Sequence, residues 1–446
     1  MKVTQNYNPA VKSCICILLI FSFMIPCTAR SNDVLKKEVI INKAIELLPF
    51  YKNSQCFDKK SKFYGCSYPA HWRGITNKPD ARYQEIAYYY AFLYKNYDND
   101  QELLKRAIAA MEFWGGLQKY NGLVPEYPMT KAGGAATAFG AAVMARTVML
   151  LDKDLPEKSK KKMLFHINKS LSYFLKHDFN DMPIYGTNQK LGVLFALTSG
   201  YHLTNNSEYI ERYRELKKWV IKNEVDKHGL GLEGSKVNEK WYDYSYVELL
   251  MWFFIYQNTG DPEAFEIGSK LANTLSLLID PQTGKSIVGR DTTGVHSFLA
   301  WSFLMNSSVF KTLGEEIFIK NLRNKSFHNS GNRYIFSMWW EFFPVYLYYP
   351  LNEQRGVYPL SDTLYKKIDT WTVISTGKYI FVYDQKKGLI YYSEKSIPIQ
   401  KTKFILDNKN DGKATYYIFI GTDRIARMIF DENKRSILKY EIFKKE

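Results

Sequence analysis

The chain has 446 residues, of which 46% are hydrophobic and 24% charged, and its formal net charge is +16. That apolar content supports a large core and excludes a disordered, collagen-like or coiled-coil chain. The positive charge favours polyanionic partners, which are nucleic acid, anionic lipid or acidic polysaccharide.

The first residues choose among these partners. Lys2 and Lys12 precede an apolar run from Cys14 to Ile25, Pro26 breaks it, and Cys27-Thr28-Ala29 supplies small residues for cleavage. This pattern is expected to be a secretory signal peptide over residues 1–29. The run is too short to cross a bilayer comfortably, so no stable membrane anchor is expected after cleavage. A periplasmic or secreted location follows. It removes nucleic acid as a partner and leaves acidic polysaccharide. Two cysteines remain after residue 29, Cys56 and Cys66. A single pair flanking a short polar loop in an oxidising compartment is expected to form a disulfide. A zinc site would need more ligands, and only His71 is near; no metal and no cofactor is expected.

From about residue 33 to 350 the pattern is helical. Leu103, Ala107, Met111 and Trp114 recur at helical spacing, and Val143, Val148, Leu150 and Leu151 belong to another apolar helix. Asp261-Pro262-Glu263 reads as a cap followed by proline at the first helical position. Asp154-Leu155-Pro156-Glu157 and Ser207-Glu208 read as further starts. Hairpins are expected over 82–120, 133–178, 188–224, 242–280 and 294–322. A sixth would combine 334–349 with an N-terminal helix over 33–51. Their first helices begin near 82, 133, 188, 242, 294 and 334, a period of about 50 residues that marks a repeated unit. Six hairpins closing on themselves make an (α/α)6 toroid over residues 30–355, with an open solenoid as the competing geometry. Beyond it, Trp371–Thr376, Tyr379–Tyr383, Leu389–Tyr392 and Tyr416–Ile420 are β-branched and aromatic runs punctuated by glycine. They predict a small antiparallel β region within residues 356–446. The fold class expected is therefore mainly α, a six-hairpin toroid followed by a small antiparallel β region.

In such a toroid the inner helices run roughly parallel, and their N-termini share one face. Helix ends give that face partial positive charge suited to an anionic ligand. The residues at the six starts are Asp80-Ala81-Arg82-Tyr83-Gln84-Glu85, Glu126-Tyr127-Pro128, Asn188-Gln189-Lys190, Trp241-Tyr242-Asp243-Tyr244, Gly289-Arg290-Asp291 with His296, and Arg333-Tyr334. No zinc-protease, nucleophile-elbow or phosphate-loop motif occurs, so those enzyme classes have no support.

Phe63-Tyr64-Gly65-Cys66-Ser67-Tyr68-Pro69-Ala70-His71-Trp72-Arg73, followed by Pro79-Asp80-Ala81-Arg82-Tyr83-Gln84-Glu85, resembles the opening of heparinase II/III-like toroid proteins of bacterial polysaccharide loci. Gly122-Leu123-Val124-Pro125-Glu126-Tyr127-Pro128 and Ala135-Ala136-Thr137-Ala138-Phe139 resemble their second hairpin. Asn188-Gln189-Lys190-Leu191-Gly192, Gly229-Leu230-Gly231-Leu232-Glu233 ending at Tyr242, and Gly289-Arg290-Asp291-Thr292 continue the likeness over roughly residues 45–300. Two features depart from the family. Its large C-terminal β-sandwich is here a short β region, and no histidine follows the tyrosine at 242.

The resemblance implies β-elimination of uronate polysaccharides. A base removes the proton at C5 beside the carboxylate, and the 4-O-glycosidic bond breaks. The carboxylate must be neutralised by hydrogen-bond donors for that proton to leave. The resemblance implies Asn188 as neutraliser and Tyr242 as base and acid, with His296 as a further catalytic group. Arg82, Tyr83, His71, Arg290, Glu85 and Trp241 would bind substrate. Each residue also has a structural reading. Asn188 reads as an N-cap, His71 as a loop anchor, His296 as a core histidine, Arg82 and Glu85 as a helix ion pair, and Tyr242 as packing. Two other functions fit the same chain. A six-hairpin glycoside hydrolase would use two facing carboxylates about 5–9 Å apart, drawn from Glu85, Glu126, Glu233, Asp243 and Asp291. A polysaccharide-binding or assembly protein would need none.

Overall fold

The inner helices are buried on every side, whereas the outer ones carry a single apolar stripe. In the computed structural model α1 is Lys37–Ser54, α2 Ile86–Leu93, α3 Gln101–Gly116, α4 Gly134–Leu151, α5 Glu157–Lys176, α6 Thr187–Thr204, α7 Ser207–Asn223, α8 Tyr242–Thr259 and α9 Pro262–Ser276. The structure describes residues 37–126, 133–232 and 242–276, together with eight strands between 363 and 444. The expected signal peptide, the fifth hairpin and the 334–349 half of the sixth lie outside the described residues, whereas the N-terminal half of the sixth is α1. Residues 37–446 form one unit.

Helix α6 buries thirteen residues, including the unbroken run from Lys190 to Gly200, and α2 buries all eight of its own. By contrast, α5 buries Met163, Ile167, Leu171 and Phe174, and α7 buries Tyr209, Tyr213, Leu216 and Val220. These are stripes at the i, i+4, i+7 spacing of a helix with one wet face. The even-numbered helices α2, α4, α6 and α8 pack in sequence order, and each odd-numbered partner lies outside them. Within the described residues α4 passes for a membrane span by length and composition, yet 83% of its apolar window is buried inside the protein. It is a core helix.

The helix starts follow their local chemistry. Asp261 Oδ1 accepts the Glu263 N–H at 3.0 Å, with Pro262 opening α9. Asn206 caps α7 by accepting from Glu208 at 3.1 Å, and the helix starts at Ser207, where Ser207-Glu208 suggested. The α6 cap is Gly186, so Asn188 lies inside the helix rather than at its N-cap.

Cys56 and Cys66 require a correction, for both are free, buried thiols. The backbone already closes their loop. The Cys56 N–H donates to the Cys66 carbonyl at 2.8 Å, and the Gly65 N–H donates to the Cys56 carbonyl at 2.8 Å. The Cys66 sulfur turns to the Tyr68 carbonyl at 3.9 Å. Burial pushes the Cys66 thiol up to about 12, which leaves little of the thiolate that disulfide formation requires.

Eight strands follow: β1 Thr363–Ile368, β2 Trp371–Thr376, β3 Tyr379–Asp384, β4 Gly388–Glu394, β5 Lys403–Asn410, β6 Lys413–Ile420, β7 Arg424–Asp431 and β8 Ser436–Lys444. They form two four-stranded antiparallel meanders, β1-β2-β3-β4 and β5-β6-β7-β8. Register shifts at Val382/Tyr383, Leu406/Asn408 and Ile429/Phe430 bend the pairs locally.

Candidate functional site

Each inner helix begins against the loop that leads into the next one. The Ala81 N–H donates to the Pro125 carbonyl at 3.0 Å. Gly134 lies against Pro183 and Ile184, where a Cβ would fall 2.7 Å from the Ile184 methyl. The Thr187 N–H donates to the Leu232 carbonyl at 3.1 Å. This repeated link gathers the starts of α2, α4, α6 and α8 on one face.

The first start is a 3-10 turn, Ala81–Glu85. Buried Asp80 caps it, accepting the Arg82 N–H at 3.0 Å. Arg82 and Glu85 form an ion pair with Nε 2.6 Å from Oε1, and their side chains are only 10% and 1% exposed. The Arg82 guanidinium also lies 4.5 Å over the Phe139 ring. The loop before this turn is bound to it. Gln84 accepts the Ser67 N–H at 3.0 Å, and half-buried Tyr83 packs against Tyr68 with ring centroids 4.7 Å apart. These two tyrosines are apolar faces beside a buried charge pair, an arrangement that suits a sugar ring bearing a carboxylate.

His71 belongs to a single helical turn, Pro69–Trp72. Its Nδ1–H donates to the Thr76 carbonyl at 3.1 Å, and its ring meets Phe63 edge-on at 4.7 Å. Those contacts make it an anchor of the loop that carries Tyr68.

Asn188 is the second residue of α6 and is buried. One turn later, Gly192 faces Phe139, and a Cβ there would stand 2.7 Å from the ring edge. Residues four apart share a helix face. Asn188 therefore lies on the side of α6 turned toward Phe139 and the Arg82 guanidinium above it. Beside it, Lys190 reaches Glu224 at 2.8 Å, and the Thr187 hydroxyl donates to the same carboxylate at 2.9 Å. On α8, buried Glu248 accepts the Gly231 N–H at 3.1 Å. Gly231 has no room for a side chain, since a Cβ would sit 2.7 Å from the Thr187 Cβ. Glu126, also buried, ends the described part of the loop into α4.

The structure thus brings Arg82, Tyr83, Glu85 and Asn188 to neighbouring helix starts. Tyr242 is the first residue of α8, and its side chain lies outside the described residues, as do Trp241, Arg290 and His296. Sequence reasoning missed Tyr68, the Lys190–Glu224–Thr187 cluster and Glu248. Glu248 left a signal, a lone carboxylate in the apolar run Val247-Glu248-Leu249-Leu250. Nothing local joins residues 187 and 224. Among the described residues no group of three or more His, Cys, Asp or Glu is arranged to hold a metal ion.

No family model matches the chain, and no curated protein is similar to it in sequence. Solved structures are similar in fold. A xanthan lyase from Paenibacillus superposes with a TM-score of 0.53 at 9% identity, covering 94% of this chain and 48% of its own. This chain thus spans about half the length of that lyase. A sugar epimerase from a ruminal bacterium gives 0.47 at 13% identity, covering 64% of this chain and 87% of its own. An α-1,6-mannanase from Salegentibacter gives 0.45 at 12% identity, covering 65% and 88%. Among the described residues the fold is mainly helical, a run of consecutively packed helical hairpins, and it is shared with the xanthan lyase.

Proposed function

We propose that this is an exported enzyme acting on uronate-containing polysaccharide, and that it cleaves by β-elimination at the face where the inner helices start. The observation that carries the reading is the convergence of buried Arg82, buried Asn188 and the Tyr83–Tyr68 pair at adjacent helix starts. The fold shared with a xanthan lyase supports it.

The chemistry follows from those groups. Asn188 and the guanidinium N–H groups of Arg82 not turned to Glu85 would bind the substrate carboxylate. Helix N-termini add to the positive field there. Neutralising that carboxylate stabilises the charge that develops when the C5 proton leaves. Tyr242 removes the proton, a double bond forms between C4 and C5, and the C4–O bond breaks. The proton passes to the departing oxygen. Arg290, His296 and Trp241 complete the substrate contacts in this reading, and His71 acts through the loop it anchors.

The test is incubation of the mature chain with uronate polymers, following ultraviolet absorbance of the unsaturated product and reducing ends together. Tyr242→Phe is expected to abolish the absorbance change while leaving binding nearly intact. Asn188→Ala should lower turnover by about 100-fold, the loss seen when one oxyanion donor is removed. Reducing ends without absorbance would replace elimination with hydrolysis. A specific observation favours that second reading. Asp80, Glu85, Glu126 and Glu248 are all buried carboxylates near these helix starts, and two facing carboxylates are what a hydrolase uses. Polymer binding with neither product would instead support a binding or assembly role.

A further inference from the structure

A groove of about 760 Å³ runs along the outer helix α7, between it and residues 178–180. Arg214, Lys218 and Lys222 line it. They are exposed and stand at i, i+4 and i+8, hence on one side of the helix. Among the described residues none of the three pairs with a carboxylate. The acids on the groove wall are largely engaged. Arg212 holds Asp178 at 2.7 Å and Glu215 at 2.6 Å; only Glu211, at the far end, is not held by it. In the middle stands half-buried Trp219, braced by Phe179 at 5.3 Å between centroids.

The groove is joined to the helix-start face. Lys190 Nζ lies 5.6 Å from the Trp219 ring. The same ammonium bonds Glu224, which receives the Thr187 hydroxyl next to Asn188. Trp219 therefore stands one side chain away from the start of α6. The C-terminal end of α7, with Lys222, lies toward that start, and Arg214 lies farther out.

We propose that this groove is a second binding site for anionic polysaccharide, continuous with the helix-start face. It would hold the part of the polymer that extends past the cleaved linkage. Trp219 supplies an apolar plane for one sugar ring, and the three cations meet successive carboxylates along the chain. The inference rests on the reading of the helix-start face as a uronate site, and its test is separable from that reading.

Affinity electrophoresis of the full mature chain through gels containing polygalacturonate, xanthan or neutral mannan measures the site directly. Wild-type protein should be retarded by the two anionic polymers and not by mannan. R214Q/K218Q/K222Q changes only exposed side chains. It should bind polygalacturonate roughly tenfold more weakly, as three exposed charge contacts imply, and with a flatter salt dependence. Trp219→Ala should weaken binding without changing the salt slope, with thermal melts showing that both variants fold. Equal retardation of the triple variant and wild type overturns the groove, as does retention on mannan equal to that on polygalacturonate. Absence of wild-type retention on both anionic polymers overturns it too. Turnover of short oligouronides, too short to reach α7, reports on the catalytic reading alone; it should be unchanged in the triple variant and lost in Tyr242→Phe.

Discussion

Removing either partner of the Arg82–Glu85 pair should cost more than removing both. The two charges lie 2.6 Å apart, with side chains 10% and 1% exposed. Glu85→Leu strands a guanidinium over the Phe139 ring, and Arg82→Met strands a carboxylate. Breaking a buried pair from one side costs about 3–5 kcal/mol. The lower end applies here, since Arg82 keeps its aromatic contact at 4.5 Å and a helix start lies at hand, so we expect about 3 kcal/mol for each single change. Arg82→Met with Glu85→Leu preserves volume and leaves no stranded charge. It should fall within about 1 kcal/mol of wild type. Denaturant unfolding of the four proteins, followed by circular dichroism, closes the double-mutant cycle. The expected coupling is about 5 kcal/mol. If the single losses simply add in the double variant, the two groups are not partners in a dry site and the reasoning fails. The double variant carries a second readout. It should fold and yet bind uronate polymers more weakly, because one of the donors for their carboxylates is gone.

Other outcomes follow from the same structure. Asp261 caps α9 and accepts bonds from Tyr213 and Lys217, both at 2.6 Å, so Asp261→Asn should cost about 2 kcal/mol at neutral pH. Burial alone would raise the Asp261 carboxyl, but Lys217 and Tyr213 outweigh it and hold it below the usual range. Its stabilisation is thus present above the ordinary carboxylate range and is lost as pH falls through the lowered value. Acidification should narrow the gap between wild type and variant; a gap unchanged at pH about 3 refutes the linkage. Burial likewise opposes the Lys217 charge, yet Asp261 and Glu263 lift it above the ordinary lysine range. That contribution is present below the ordinary lysine range and fades as pH rises through the raised value. The native chain without residues 1–29 should react slowly with maleimide at pH about 8, where a free cysteine already ionises. In denaturant it should reveal two thiols from Cys56 and Cys66; an intact mass lower by two hydrogens would contradict the free pair.

The alternation of helices apolar all round with helices striped on one side is written in the residues themselves. So are the period that spaces their starts and the Asp261-Pro262-Glu263 cap. Each of these depends on neighbours within a turn or two, and a short stretch of chain fixes it. The Arg82–Glu85 pair was legible for the same reason, because three residues separate its members. Tertiary structure alone decided that Arg82 lies over Phe139, that the face of α6 carrying Asn188 and Gly192 turns to Phe139, and that Lys190 and Thr187 share Glu224. It also decided that the loop around Cys56 and Cys66 is closed by backbone hydrogen bonds rather than by sulfur. These contacts join different hairpins, the two ends of one hairpin, or the two sides of a loop. Burial periodicity says that a side chain is inside but not which partner it meets there. The partner is chosen by how neighbouring hairpins pack, and that packing depends on the shapes of all the side chains between them.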